Sequence, residues 1–335
     1  MNGDARSKGT SRRDVVKGLL AAGLASVSRG SFAQRVDPGR KAVVIGAGIA
    51  GLSAAYDLRR AGFDVEIFEK RAWSGGRMIE AWMGPLYGFT HAAGVATSNR
   101  EQFALARELG IAEQLMGEGG YSRVENEYGE YDLAAFWRPD LIAKVPGITQ
   151  DTLRRLPAVR ADIERIRQEV DPCLLATGAG FDDETIGDYL ERMLGKEAGT
   201  QIVRYWIDPF HEWAGWPAYA TSKLPVLAWQ AQYDSDFVIP SGGIGVLTRK
   251  LASILPITHS TTVRFISPPD AEGRHTVHYL TPDFQPRTIR PDVVVVATEG
   301  KFVYPLVQGL TPAQEAFFKA IDFTKEAIIW YVVHP

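Results

Sequence analysis

The stretch Lys41-Ala42-Val43-Val44-Ile45-Gly46-Ala47-Gly48-Ile49-Ala50-Gly51 decides how the rest of the chain is read. Its first half is a short apolar run rich in β-branched residues, the pattern of a strand buried on both faces in a parallel sheet. Three glycines follow at once. Leu52 to Arg60 then supply helix formers, and Gly62 gives a helix stop. Asp64-Val65-Glu66-Ile67-Phe68 reads as a second strand leading into Glu69, so the glycines sit at a strand-to-helix junction. There the first glycine permits a tight turn, the second lets backbone approach a pyrophosphate, and the third lets the helix pack closely on the strand. The helix N-terminus adds N–H groups and partial positive charge. A carboxylate at Glu69, 23 residues after Gly46, can accept hydrogen bonds from ribose hydroxyls and would repel a 2′-phosphate. Gly46, Ala47, Gly48, Ile49, Ala50, Gly51, Glu69 and the adjoining Lys70 are therefore candidates for holding a dinucleotide. The bland alternative is a glycine-rich turn with no ligand.

Composition bounds the remaining possibilities. The 335 residues are 45% hydrophobic and 23% charged, with a formal charge of -3, which is ordinary globular composition and long enough for two lobes with separate cores. A single cysteine, Cys173, excludes a disulfide scaffold and reads as a small buried hydrophobe. With 37 basic against 40 acidic residues, and no basic run inside the globular part, there is no electrostatic footprint for nucleic acid. No His and Cys cluster has metal-ligand spacing, and no Ser-centred elbow motif occurs. The N-terminus follows a separate logic. Residues 1–33 carry six basic and two acidic side chains; Arg12-Arg13 and Lys17 precede an apolar stretch from Gly18 to Ala25, and Ser31-Phe32-Ala33 offers a small-residue cleavage site. This resembles a twin-arginine export signal, which implies an exported, periplasmic or extracellular protein folded before export. Ser26, Ser28 and Arg29 interrupt the apolar stretch too early for a bilayer span.

Downstream of Glu69, Arg71-Ala72-Trp73-Ser74-Gly75-Gly76-Arg77-Met78 resembles the Gly-Gly-Arg segment of the FAD-dependent flavin amine oxidase, protoporphyrinogen oxidase and carotenoid desaturase superfamily. Further pieces of the resemblance are Tyr87 to Gly94, with Thr90 where an acidic residue is common, Ile239-Pro240-Ser241-Gly242-Gly243-Ile244-Gly245, Thr262 to Ile266, and Asp292 to Thr298. The resemblance implies FAD as cofactor, with Gly75, Gly76 and Arg77 beside its diphosphate and Val263 meeting the adenine through its backbone. It implies an α/β fold, a Rossmann-like FAD/NAD(P)-binding domain with an inserted, mainly helical substrate domain. The expected division is 1–33 signal peptide, 34–100 first part of the FAD domain, 101–235 insertion, 236–300 second part of the FAD domain, and 301–335 the start of a second substrate-domain segment. The implied chemistry is hydride transfer from a small-molecule substrate to the flavin N5, with dioxygen or a quinone as electron acceptor. Amine oxidation leads, with porphyrinogen or polyene dehydrogenation as alternatives.

No residue is assigned as catalytic. The lysine that amine oxidases of this family often hold near the flavin has two partial matches here, Lys301 and Tyr304. Between the two parts of the FAD domain, Val159, Ile163, Ile166 and Val170 recur at helical spacing, one buried stripe with a charged opposite face. Ser98 with Glu101 reads as a capping box. Tyr205, Trp206, Phe210, Trp213, Trp216 and Tyr219 make six aromatics in fifteen positions around His211; they form either a wall of an apolar substrate chamber or core packing. Relatives usually continue well past the equivalent of Pro335, with a segment that closes over the flavin. A fragment, a chain completed by a second chain, and a reduced variant or an inactive binding module are the accounts this leaves open.

Overall fold

The structure, a computed structural model, describes residues 39–83, 86–89, 94–96, 99–117, 123–126, 129–132, 142–143, 147–171, 174–204, 217–233 and 237–323. In chain order its elements begin with β1 (Lys41–Ile45), α1 (Ile49–Arg60), β2 (Asp64–Phe68), β3 (Glu80–Met83), β4 (Leu86–Phe89) and β5 (Val95–Ala96). They continue with α2 (Arg100–Glu108), α3 (Ala112–Leu115), β6 (Arg123–Asn126), β7 (Gly129–Asp132), α4 (Gln150–Glu169), α5 (Ile186–Leu194), α6 (Lys196–Ile202), α7 (Lys223–Tyr233) and β8 (Phe237–Val238). The rest are α8 (Val246–Ala252), β9 (Ile257–Thr258), β10 (Thr262–Ile266), β11 (Val277–Leu280), β12 (Pro286–Ile289), β13 (Val293–Val296), α9 (Val303–Leu306) and α10 (Pro312–Lys319). Two compact units result. One draws on the chain up to residue 92 and on 245 to 322, the other on 93 to 244 and on 323 onward.

The first unit is built on a parallel sheet in the order β13-β1-β2-β9. Its central strand explains the apolar run: Ala42, Val43 and Val44 are all but inaccessible to solvent, because both faces of the strand are covered. Val43 and Ile45 join Phe68 in a cluster with Ile266 and Val277 of the antiparallel sheet β10-β11-β12. Helix α1 buries Gly51, Leu52 and Ala55 and packs on β1 and β2. A parallel sheet entered through a glycine turn, with a crossover helix on it, is the expected α/β, Rossmann-like arrangement. The β1 and β2 boundaries and the stop at Gly62, whose φ is +100°, agree with the sequence reading.

The second unit is mainly helical, as expected, with the hairpin β6–β7 in addition. Val159, Ile163 and Ile166 of α4 form the anticipated stripe, with Val170, the residue that caps the helix, only partly buried against it; Leu156 joins them, and they pack with Tyr189 and Leu190 of α5, Ile202 of α6 and Val226 and Leu227 of α7. A polar clasp ties these helices at one side. The Tyr189 hydroxyl donates to Asp162 at 2.8 Å, and the Lys223 ammonium donates to Asp183 at 2.7 Å and Glu184 at 2.8 Å. Burial, reinforced by Asp162, pushes the Tyr189 phenol far above its usual range. One local expectation is corrected. Helix α2 is capped by Asn99, which accepts from the Gln102 N–H, in place of the Ser98 and Glu101 box; an Asn one position later satisfies the same orphan donors. Cys173, the aromatic positions 205, 206, 210, 213 and 216, His211, Thr90, and residues 1–38 and 324–335 lie outside the described residues.

Within the first unit, Glu80 joins distant stretches of chain. Its side chain is 8% exposed, pairs with the Arg249 guanidinium, and accepts from the Gly245 N–H at 2.9 Å at the start of α8. Burial alone would raise its pKa; the hydrogen bonds from Arg249 and Gly245 outweigh it and hold the carboxyl below the usual carboxylate range. A depressed folded pKa gives stability that is present above the unfolded value and lost as pH falls through the folded one. Glu80→Gln should therefore cost about 1–3 kcal/mol near neutrality. The melting-temperature gap to the wild type should close as pH falls below the ordinary carboxylate value of 4.5, as read by thermal denaturation from pH 7 to pH 3. Thr298 is the opposite case: its hydroxyl is buried with no hydrogen-bond partner among the described residues. Replacing an orphaned hydroxyl with a methyl group of the same shape removes a desolvation penalty, so Thr298→Val should raise the urea midpoint, by about 1 kcal/mol of stability.

Candidate dinucleotide site

The site lies at the carboxyl ends of β1, β2 and β13, where open parallel sheets place their ligands. Gly46 N–H donates to the Phe68 carbonyl at 2.8 Å, and Ala297 N–H donates to the Ile45 carbonyl at 2.9 Å. The turn is thereby pinned across all three strand ends. Two glycines in it answer to different constraints. A Cβ on Gly51 would stand 1.9 Å from the Gly46 carbonyl oxygen, so the close approach of α1 to β1 forbids any side chain there. A Cβ on Gly48 would meet nothing nearer than the Gly76 Cα at 3.9 Å, and the φ of -77° suits any residue. Packing within the protein does not require a glycine at 48. It does leave a cradle that a Cβ would fill, and this is the fit expected for a dinucleotide pyrophosphate resting against bare backbone. Gly48 is also the N-cap of the twelve-residue α1, without a side-chain cap and with no acidic residue in the first turn. The dipole of α1 thus points at the cradle with no carboxylate of its own helix competing for it.

A second loop closes against the first. The Gly75 N–H donates to the Ala47 carbonyl at 2.8 Å, and Gly48 and Gly75 form a parallel bridge. The structure thus brings Gly46 to Gly51 together with Gly75 and Gly76, while Lys70 and Arg77 are exposed beside them. Glu69 lies between the loops. One carboxylate oxygen accepts from the Ala47 N–H at 2.8 Å and the other from the Arg71 N–H at 2.7 Å. The carboxylate therefore braces the glycine turn, and each oxygen keeps a second lone pair for a ribose hydroxyl. Val263 stands in β10 next to a bulge, half-buried on the cluster of Val43 and Phe68. It lies two residues after Thr261, whose N–H donates to the Glu69 carbonyl at 2.9 Å.

The sequence did not reveal the strap formed by Ile257 to Thr261. Besides the Thr261 bond, Glu69 N–H donates to the Thr258 carbonyl at 3.1 Å and Ser260 N–H to the Arg71 carbonyl at 3.0 Å, with Ser260 at a φ of +52°. The Ser74 hydroxyl and His259 Nε2 share a hydrogen bond of 2.8 Å. Ser74 adjoins Gly75 in sequence, a clue of position only, and nothing local marks His259. Of the residues weighed for a role near the flavin, Lys301 places its ammonium 5.2 Å from the Phe302 ring centre, and Tyr304 lies under the Lys319 ammonium at 4.2 Å. Tyr219 donates to Glu191 at 2.7 Å within the helical unit. None of these contacts is a catalytic arrangement.

Comparison with known proteins gives the family and the fold. Over 45 residues the chain is 49% identical to 1-hydroxycarotenoid 3,4-desaturase of Flavobacterium sp. (strain P99-3), covering 13% of this chain and 9% of that one. Over 39 residues it is 56% identical to the zeta-carotene-forming phytoene desaturase of Myxococcus xanthus, covering 12% and 8%. Among solved structures, putrescine oxidase bound to putrescine superimposes with a TM-score of 0.59 at 18% identity, over 84% of this chain and 63% of that one. A fatty acid isomerase from P. acnes does so with 0.51 at 19% identity and the same coverage. The chain thus spans less than two thirds of these structures and under a tenth of the desaturases. Residues 49–327 match the model of flavin containing amine oxidoreductases; the chain belongs to that family, whose cofactor is FAD.

Proposed function

We propose that the chain is an FAD-dependent oxidoreductase acting on a small-molecule amine, with dioxygen or a quinone as the final electron acceptor. The observation that carries the binding half of this reading is the cradle at Gly48. Bound FAD would supply the redox chemistry, as acceptor of a hydride equivalent from a substrate C–H bond. The protein's own part is to bind and orient. The N-terminus of α1 and the backbone of Gly46 to Gly51 would hold the diphosphate, together with Gly75, Gly76 and Arg77. Glu69 would receive the adenosine ribose and disfavour a 2′-phosphate by charge repulsion, and the Val263 backbone would meet the adenine.

Amine as substrate rests on the family and on the likeness to putrescine oxidase, and that likeness at 18% identity speaks for fold. A second reading, dehydrogenation of a polyene, is favoured by the short matches to two carotenoid desaturases. An isomerase on the same fold is a reminder that substrate is set by the site and not by the architecture. The test is to purify the full chain with FAD and follow flavin absorbance anaerobically against a panel of primary amines, polyenes and porphyrinogens. Bleaching by an amine supports the first reading, and bleaching by a polyene alone replaces it with the second. Gly48→Val should abolish flavin retention through gel filtration, with circular dichroism recorded on the same sample to verify that the variant folds. A yellow variant would show that the cofactor lies elsewhere.

We also propose export by the twin-arginine route, on the strength of Arg12, Arg13 and the apolar stretch after them. A reporter fused to residues 1–40 should be exported, and Arg12→Lys with Arg13→Lys should retain it in the cytoplasm; unchanged export of the double variant would reject the route.

A further inference from the structure

The loop from Glu69 to Gly75 is fastened to the rest of the fold in two different ways. Its first half is held by backbone: Glu69 and Arg71 exchange three main-chain hydrogen bonds with Thr258, Ser260 and Thr261 of the strap. Its second half reaches the strap through the bond between the Ser74 hydroxyl and His259 Nε2, at 2.8 Å between two half-buried side chains. Ser74 immediately precedes Gly75, which bridges to Gly48 and donates to the Ala47 carbonyl. Ser74 therefore adjoins the contact between the two glycine turns, and the His259 imidazole ties it to the strap.

Resting on the proposed dinucleotide site, we infer that His259 and Ser74 form a positioning latch that holds Gly75 and Gly76 against the Gly48 cradle, so that the adenosine diphosphate part of the ligand meets a preformed surface. The latch touches no reacting atom. Its contribution is preorganisation: without it the loop samples positions in which the two turns are apart, and ordering them is charged to ligand binding. The backbone bonds at Glu69 and Arg71 remain, so the ribose carboxylate stays placed and the loss is partial. The imidazole is suited to the task because its Nε2 lies at the end of a rigid ring. A glutamine carries a nitrogen at the same distance from its backbone, whereas a phenylalanine fills the same space with no polar atom.

The experiment measures ADP binding to the purified full chain by calorimetry, with ADP standing for the half of FAD that the latch concerns. Wild type is compared with Ser74→Ala, His259→Phe, the double variant, His259→Gln and Gly48→Val. A single neutral hydrogen bond corresponds to roughly a three- to tenfold change in affinity. Ser74→Ala and His259→Phe are each expected to weaken ADP by that factor, with the double variant no weaker than the worse single one. His259→Gln is expected to stay within about twofold of wild type, since it restores the polar contact. Wild-type affinity in Ser74→Ala and His259→Phe, with none in Gly48→Val, overturns the latch and leaves the site standing. Additive losses in the double variant, or a His259→Gln as weak as His259→Phe, overturn the hydrogen-bond account. Normal ADP binding by Gly48→Val overturns the site itself and the latch with it. Should His259→Phe not fold, Ser74→Ala, which removes one hydroxyl from a half-buried loop residue, carries the comparison with His259→Gln.

Discussion

The first unit depends on a contact between two stretches of bare backbone. Gly48 and Gly75 bridge, and the Gly75 N–H donates to the Ala47 carbonyl; a side chain on Gly75 would strike Ile79 at 2.4 Å. The contact fixes the turn after β1 relative to the loop after β2, so the ends of neighbouring strands become one surface. The parallel sheet underneath, with the buried strand β1 at its centre, gives that surface its base. Glu69 then has a double duty, bracing the turn through the Ala47 N–H while presenting its remaining lone pairs outward. A site made in this way needs few functional side chains, because backbone donors and a helix terminus do most of the recognition.

Polar ties hold the surrounding elements in register. Glu80, paired with Arg249 and bonded to Gly245, binds the segment after the second glycine pair to the start of α8. The strap from Ile257 to Thr261 does the same for the loop after β2. The helical unit has its own core around Tyr189 and Leu190 and its own clasp at Lys223. Each unit thus has a core of its own.

What could be read from sequence was local. The run from Ala42 to Ile45, the glycines behind it and the second strand to Phe68 show themselves through period, punctuation and order, all within thirty residues. The stripe of Val159, Ile163 and Ile166 shows itself because 3.6-residue periodicity survives over a long helix. The polar ties did not show. Glu80 and Arg249 are 169 positions apart, and Ser74 and His259 are 185 apart; side-chain pairs at such separations leave no periodic trace. The cap at Asn99 was missed by one position because Ser and Asn serve almost equally well there. Strand β12 was hard to see, since a mostly solvated strand such as Pro286–Ile289 has little apolar alternation to announce it.

The central claim is that Gly51 is a glycine for the fold and Gly48 a glycine for the ligand. The most direct measurement compares the melting temperatures of Gly48→Ala and Gly51→Ala with that of the wild type, each with and without ADP. The account predicts that Gly51→Ala melts far lower in both conditions. It predicts that Gly48→Ala without ADP melts with the wild type, and that ADP raises the wild-type midpoint, by mass action, more than that of Gly48→Ala. Equal losses in the two ligand-free variants, or equal rises on adding ADP to wild type and Gly48→Ala, would contradict it.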